Sequence, residues 1–376
     1  RAGRYHEALR MLHETNPLPS ICSRVCHRPC ECSCGRSAYD EPISIMALKR
    51  FLVQYCNDNP ADAELQAKLD AGDDRIGRKK SEPTGKRVAI VGAGPAGLTA
   101  ADELVRNGHD VVVFESLPVA GGMLRVGIPD FRLPPAALEA DIQAIRDLGA
   151  DIRCGKSLGR DFTIQSLKDD GYDAVLVAIG AHAVRKLGVD GEDAPNVLDG
   201  VDFLRKVNLG ESVEVGSKVA VIGGGNVAVD VARTARRLGG KEVTILYRRS
   251  EAEMPAMSDE IEEARHEGVG IELLVAPTKV ITDDSGKAIA IECVRMELGE
   301  PDESGRRRPV PKPGTEFQVD AETIVTAIGQ QVDIDAIGDA VETKWGKPVA
   351  DEHSLEASLP GVFAAGDAVT GPDTVT

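Results

Sequence analysis

The chain has 376 residues and a formal charge of −17 at pH 7, from 44 Lys and Arg against 61 Asp and Glu. That length fits two or three domains with a sizeable core, and 42% apolar content with 28% charge excludes wholesale disorder. The acidic balance argues against a nucleic-acid partner, because phosphates need a basic face. No run approaches the roughly 20 apolar residues needed to span a bilayer, so no membrane role is expected. No signal peptide is expected, and the expected location is cytoplasmic. Only 13 residues are aromatic while 39 are Gly; with many Val, Ile and Ala, this suits buried parallel strands under helices.

The chain opens at Arg1 in helix-like sequence and stops at Thr376 after a strand-like segment and a turn. It reads as a piece of a longer protein. Residues 1–60 read as a small helical domain around a cysteine-rich loop. Its segment IMALKRFLVQYC sets Ile45, Leu48, Phe51 and Leu52 on one helical stripe. Five of the eight cysteines crowd this end: Cys22, Cys26, Cys30, Cys32 and Cys34. A secreted disulfide framework would spread them along a small chain. Thiolates gathered on a loop instead suit zinc or an iron–sulfur cluster; the spacing is neither a zinc-finger pattern nor the commonest ferredoxin run, and iron–sulfur is expected ahead of zinc.

A polar, basic connector, RIGRKKSEPTGKR (75–87), follows and reads as a solvated linker. Two strand–glycine-turn–helix–strand units come next, at 86–116 and 217–250. Gly92, Gly94 and Gly97 match the G-x-G-x-x-G dinucleotide fingerprint in the first. Gly223 and Gly225 repeat it in the second, with Ala228 in the third place. In each, the pyrophosphate is expected against the N-terminus of the helix and its unpaired amides.

The second strands end differently. VVVFE finishes on Glu115, placed to accept from a ribose diol, whereas VTILYRR offers Tyr247 and then Arg248 and Arg249. A carboxylate would repel a 2′-phosphate and paired guanidiniums would bind it, so the second site is expected to prefer NADP over NAD. GYDAVLVAIGA (171–181) and AETIVTAIGQQ (321–331) read as strands ending where the chain crosses between domains. LPGVFAAGDAV (359–369) reads as a strand leading to Gly366, which permits close backbone approach, and Asp367, which can accept from a polyol hydroxyl. PDESGRRRPVPKPG (301–314) reads as a hairpin or loop insertion with Arg306, Arg307 and Arg308 at a solvated tip. Cys154 and Cys293 stand alone and read as buried strand residues. Neither a C-x4-C after the first fingerprint nor a C-x2-C in the second domain is present, which argues against disulfide reduction.

Taken in order, NPLPSICSRVCHRPCECSC, VAIVGAGPAGLTAA, AGGMLRVGIPDFRLP (120–134), VIGGGNVAVDVAR, LYRRSEAEMP and VFAAGDAV resemble the small (β) subunit family of NADPH-dependent glutamate synthase. The ferredoxin:NADP oxidoreductase large subunit and the N-terminal half of dihydropyrimidine dehydrogenase are similar. The resemblance covers essentially the whole chain. It implies an α/β fold of two Rossmann-like domains, an FAD domain with an NAD(P)H domain inserted, preceded by a small α-helical iron–sulfur domain. The expected division is 1–75 iron–sulfur, 76–86 linker, 87–188 and 333–376 FAD, and 189–332 NAD(P)H.

The same resemblance implies FAD at Gly92, Gly94, Pro95, Ala96, Gly97, Glu115, Gly122, Leu124, Arg125, Gly180, Gly366 and Asp367. It implies NADPH at Gly223, Gly224, Gly225, Asn226, Val227, Ala228, Arg248, Arg249, Ala327 and Gly329. For a 4Fe–4S cluster it implies Cys26, Cys30 and Cys34, with a further ligand from an upstream cysteine run. Within this chain Cys22 or Cys32 would complete the set, and Cys22 is the expected fourth. Departures are the extra Cys32, Lys49 where many members carry Glu or Gln, and the lack of the helix that follows Asp367 and closes the flavin site. No side-chain acid or base is obligatory for hydride transfer, and none is expected.

The implied function is electron transfer from NADPH through FAD, across two nucleotide pockets that face each other, to iron–sulfur clusters and a partner. The partner expected first is the glutamate synthase large subunit. A ferredoxin:NADP transhydrogenase, or a subunit serving a formate dehydrogenase or hydrogenase, is the alternative enzyme. A non-catalytic assembly module is the alternative from another class.

Overall fold

The computed structural model describes residues 3–62, 65, 80–302 and 305–372. Part of the expected linker, 75–79, lies outside the described residues. Contacts divide the chain into two compact units, 1–125 with 130–181 and 332–376, and 126–129 with 182–331. The helical N-terminal region clusters with the first unit, and the second begins seven residues before the expected boundary at 189.

The first unit opens with α1 (Tyr5–His13), α2 (Pro19–Val25), α3 (Pro29–Cys32) and α4 (Ile45–Asp58). The helix expected over 45–56 forms, but its predicted stripe is not its buried face. Val53 and Cys56 are buried, while Leu48 is 59% and Phe51 53% exposed. The reason is local packing. Tyr55 stacks on Tyr5 of α1 with ring centroids 4.3 Å apart, and Phe51 meets Tyr5 edge-on at 5.8 Å, so the aromatic side faces out.

Beyond it stands a five-stranded parallel sheet: β1 (Arg87–Val91), β2 (Asp110–Glu115), β3 (Asp151–Cys154), β4 (Ala174–Val177) and, from the far end of the chain, β18 (Val362–Ala364). The strand order is β18-β4-β1-β2-β3. Alternate residues of β1 face opposite sides, and both sides are buried, which is why the strand reads as an unbroken apolar run. Ala89 and Val91 join Val112, Phe114, Val175 and Val362 in one core layer. Helices α5 (Pro95–Arg106) and α7 (Pro135–Leu148) bury Leu98, Ala101 and Val105, and Leu138, Ile142 and Ile145. Short helices α6 (Met123–Val126) and α8 (Ile164–Asp169) connect strands, with a capping box at Thr163 and Ser166 starting α8.

In the second unit the same pattern is written again. Strands β6 (Val197–Asp199), β7 (Lys218–Ile222), β8 (Glu242–Tyr247), β9 (Gly270–Leu273) and β14 (Thr323–Thr326) form a parallel sheet in the order β6-β14-β7-β8-β9. One face packs on α9 (Gly200–Asn208), α10 (Asn226–Arg237) and α11 (Ser258–His266) through Phe203, Leu204, Val229, Ala232 and Ile261. The other face carries an antiparallel sheet of β10 (Val275–Thr282), β11 (Ala288–Pro301), β12 (Arg307–Pro311) and β13 (Phe317–Asp320). Ile222, Leu246 and Ile324 meet Val280, Ile291 and Cys293 there. The hairpin expected at 301–314 is therefore β11–β12. Where the chain enters and leaves this unit, β5 (Ala183–Val184) pairs antiparallel with β15 (Gln330–Gln331). Back in the first unit, β16 (Thr343–Lys344) and β17 (Lys347–Pro348) form a small ribbon. A helical turn, α12 (Asp367–Thr370), follows Gly366. That corrects the expectation that no helix follows Asp367.

Among the described residues no helix is long and apolar enough to cross a membrane.

Candidate functional site

In each parallel sheet the glycine turn follows a central strand at its carboxyl end, the edge where open α/β sheets bind ligands. After β1 the chain turns on Gly92, at φ +110°, where a Cβ would strike the Ala178 carbonyl. Gly97 has no room for a side chain against Gly92. Gly94 is the residue before α5 and Pro95 its first, a position where the missing N–H costs nothing. Around Gly94 three distant parts of the chain meet. A Cβ on Gly122 would lie 2.8 Å from the Gly94 Cα, and a Cβ on Gly366 would lie 2.8 Å from the Ala96 Cβ. The N-terminus of α5 is thus lined by backbone that only glycines can bring so near.

Glu115 ends β2 and is buried. Its carboxylate accepts from the Ala93 and Leu117 amides at 2.8 Å each and from the Ser116 hydroxyl at 3.2 Å. It therefore pins the glycine turn to the end of β2, and its remaining lone pairs suit a ribose hydroxyl. The Leu124 side chain is in the core, 2% exposed. Arg125 donates to the Ala120 carbonyl at 3.2 Å and to Glu139 at 2.6 Å, holding the 120–122 loop. Gly180 also needs a positive φ, +68°. Asp367 begins α12 beside Gly366.

The second turn shares the plan. Gly223, at φ +146°, leaves no space for a Cβ beside the Ala327 carbonyl, and Ala228 is fully buried. Gly225 precedes α10, and a Cβ there would meet nothing within 4 Å. That open approach at the middle glycine is what a pyrophosphate requires. Gly224 lies flat against the Tyr247 ring, whose hydroxyl donates to the Glu253 carbonyl at 2.6 Å. The Asn226 carboxamide oxygen accepts from the Met257 amide at 3.1 Å, and the Gly224 carbonyl from Ala256 at 3.2 Å. The stretch from Glu253 to Met257 thus braces the turn, a role no motif announced. Val227 is half-buried, Ala327 donates its amide to Ile222, and Gly329, at φ +105°, is open.

The expected arginine pair separates. Arg248 is exposed and makes no ion pair or hydrogen bond among the described residues. Arg249 is 6% exposed, and its Nη2 donates to Asp302 at 2.7 Å. Its Nε is buried without a partner. An orphaned guanidinium donor beside an open one fits an anionic group. The hairpin thus supplies Arg249 with a carboxylate invisible in the local motif. Arg306, Arg307 and Arg308 are exposed, but Arg307 and Arg308 open β12 rather than standing at the tip.

At the N-terminal end, Cys22 is buried in α2, and burial, then Cys26, pushes its thiol up to about 11. Cys26 accepts the Arg28 amide at 3.3 Å. Cys30 and Cys32 are exposed on α3. The Ile43 amide first, then those of Arg36 and Ser37, hold the Cys34 thiol below its ordinary range. Lys49 lies near enough to Cys22 to favour its thiolate. Among the described residues no three His, Cys, Asp or Glu side chains stand together as a metal site. Cys293 is fully buried and Cys154 half-buried, both in strands. The helix carrying Cys22 is anchored by Asp141 of α7, whose carboxylate accepts from the Ser20 amide at 3.2 Å and the Ile21 amide at 3.0 Å. Burial raises the Asp141 carboxyl to about 6.

Residues 86–376 match the pyridine nucleotide-disulphide oxidoreductase family, and residues 1–61 match dihydropyrimidine dehydrogenase domain II, 4Fe-4S cluster. The chain is 45% identical to the β subunit of an NADP(+)-dependent formate dehydrogenase of Moorella thermoacetica, over 99% of this chain and 54% of that protein. It is 35% identical to the small chain of NADPH glutamate synthase of Escherichia coli, over 99% of this chain and 80% of that one. The chain thus spans little more than half the length of the first of these relatives. Among solved structures, Mycobacterium tuberculosis FprA in complex with NADPH superposes with a TM-score of 0.66, covering 78% of this chain and 80% of that one at 20% identity. That likeness shows the fold. The cofactors of this family and domain are FAD, NAD(P)H and a 4Fe–4S cluster. The chain belongs to the pyridine nucleotide-disulphide oxidoreductase family, with a dihydropyrimidine dehydrogenase-type iron–sulfur domain at its N-terminal end.

Proposed function

We propose that this chain is the electron-entry subunit of a larger oxidoreductase, taking reducing equivalents from NADPH and delivering them to a partner subunit. The observation that carries the reading is the convergence of Gly94, Gly122 and Gly366 at the N-terminus of α5, repeated in simpler form around Gly225 and α10. FAD, when bound, supplies the exchange between hydride transfer and one-electron transfer. The chain's own part is binding and orientation. The α5 amides and Gly94 receive the flavin nucleotide's pyrophosphate, Glu115 its ribose, and Gly366 with Asp367 the polyol side. The α10 amides and Gly225 receive the coenzyme's pyrophosphate, with Arg248 and Arg249 at its ribose. Cys26, Cys30 and Cys34 are the proposed cluster ligands, completed by a further thiolate.

The partner in the first reading is a glutamate synthase large subunit. A second reading, a subunit serving a formate dehydrogenase or a related complex, is favoured by the higher identity to that relative, 45% against 35%, and by Lys49 in the cysteine domain. Anaerobic titration of the full-length protein with NADPH should bleach the flavin absorbance stoichiometrically. Bound FAD that NADPH leaves oxidised would overturn the proposal. Co-purification then separates the partners: an amidotransferase subunit supports the first reading, a dehydrogenase subunit the second.

A further inference from the structure

A buried guanidinium must be neutralised, and Arg249 finds its carboxylate in the β11–β12 hairpin, 53 residues away in sequence. The hairpin holds that carboxylate firmly. The Asp302 amide donates to the Arg306 carbonyl at 2.7 Å, and Oδ1 accepts the Arg306 amide at 3.2 Å while Oδ2 faces Arg249. The side chains are 8% and 23% exposed, so water screens the pair weakly. One edge of the guanidinium is thereby taken, and Nε is left as a buried donor without an acceptor. Arg248, next along, is exposed and unpaired among the described residues.

We propose that Asp302 sets coenzyme selectivity: it is a resident anion that neutralises Arg249 and so limits the preference for a 2′-phosphorylated nucleotide. The inference rests on reading the end of β8 as the ribose-phosphate site. A 2′-phosphate that takes the free Nε would share its guanidinium with a carboxylate, and like charges around one cation weaken each other's binding. Arg248 then carries most of the discrimination, and Arg249 contributes a donor more than a charge. Replacing Asp302 by Asn removes the charge and keeps an oxygen to accept from Nη2, while its NH2 turns toward the Arg306 amide and gives up that one bond within the hairpin.

The test compares binding of 2′,5′-ADP and 5′-AMP to the full-length protein by calorimetry. The two probes differ by the 2′-phosphate alone, and their affinity ratio is insensitive to any misfolded fraction. Asp302→Asn is expected to raise that ratio about tenfold by tightening 2′,5′-ADP, with 5′-AMP unchanged within about twofold. Asp302→Ser, which also loses the side-chain contact, should raise it by a smaller factor. A ratio unchanged or lowered in both variants overturns the proposal and makes the pair a structural tie. Arg248→Gln and Arg249→Gln separate the two failures. If they leave the ratio unchanged, β8 does not read the phosphate and the underlying reading falls too. If they lower it while both Asp302 variants leave it alone, only the role of Asp302 is lost.

Discussion

In the first parallel sheet the glycine turn after β1 is closed over by two remote parts of the chain, at Gly122 and Gly366. In the second sheet the turn after β7 is braced by its neighbours, the Tyr247 ring and the backbone of Ala256 and Met257, and stays open at Gly225. The difference matches the two ligands expected of them. A resident cofactor is held by an enclosed site, whereas a coenzyme that must come and go needs an accessible one. The ribose ends differ likewise, in a buried carboxylate that ties its own turn and an exposed guanidinium that does not.

This contrast can be broken most severely at Gly92. Gly92→Ala places a Cβ into the Ala178 carbonyl at a φ that L residues rarely adopt, and should cost about 3 kcal/mol or more. Loss of bound flavin on purification, with a lowered melting temperature, is the expected result. Gly225→Ala is its counterpart: the fold should be unchanged within about 1 kcal/mol, while NADPH affinity falls roughly tenfold or more as the methyl blocks the open approach. Equal loss of stability in the two variants would contradict the distinction.

Glu115→Gln puts an amide NH2 where three donors converge. About 1–3 kcal/mol of stability and roughly tenfold in FAD affinity should be lost, read by unfolding and by flavin release.

Asp141 offers a pH test. Its folded carboxyl sits at about 6 against an ordinary 3.8, so the folded chain holds the proton more tightly than the unfolded one. The contribution to stability is full below about 4 and is lost as pH rises through 6. Wild type should therefore gain about 2–3 kcal/mol relative to Asp141→Asn between pH 7.5 and 4, measured by denaturant unfolding of both. A difference independent of pH would refute the assignment. Least disruptive is Tyr247→Phe, which removes the bond to Glu253 and should cost about 1 kcal/mol with NADPH binding slightly weakened.

Both βαβ units were legible because their strands are buried on two faces and their turns need glycine, constraints that leave few residue choices. The Gly97 contact with Gly92 is local and follows from the motif, whereas Gly92 and Gly223 press on the remote carbonyls of Ala178 and Ala327. What the sequence concealed came from contacts remote along the chain. Asp302 lies in a hairpin with no signature for pairing with Arg249, and Asp141 lies 120 residues from the helix it caps. The aromatic face of α4 was misleading because stacking on Tyr5 satisfies those rings at the surface. The arginine dipeptide identified a cationic end but could not say which of the two would be taken.

The contact between Gly366 and Ala96 has a consequence for biosynthesis. The last strand of the first sheet emerges from the ribosome some 270 residues after the turn it completes, with the whole second unit made in between. During that interval the nascent first turn lacks part of its wall. With this turn as the proposed flavin site, capture is expected only once translation has passed this glycine.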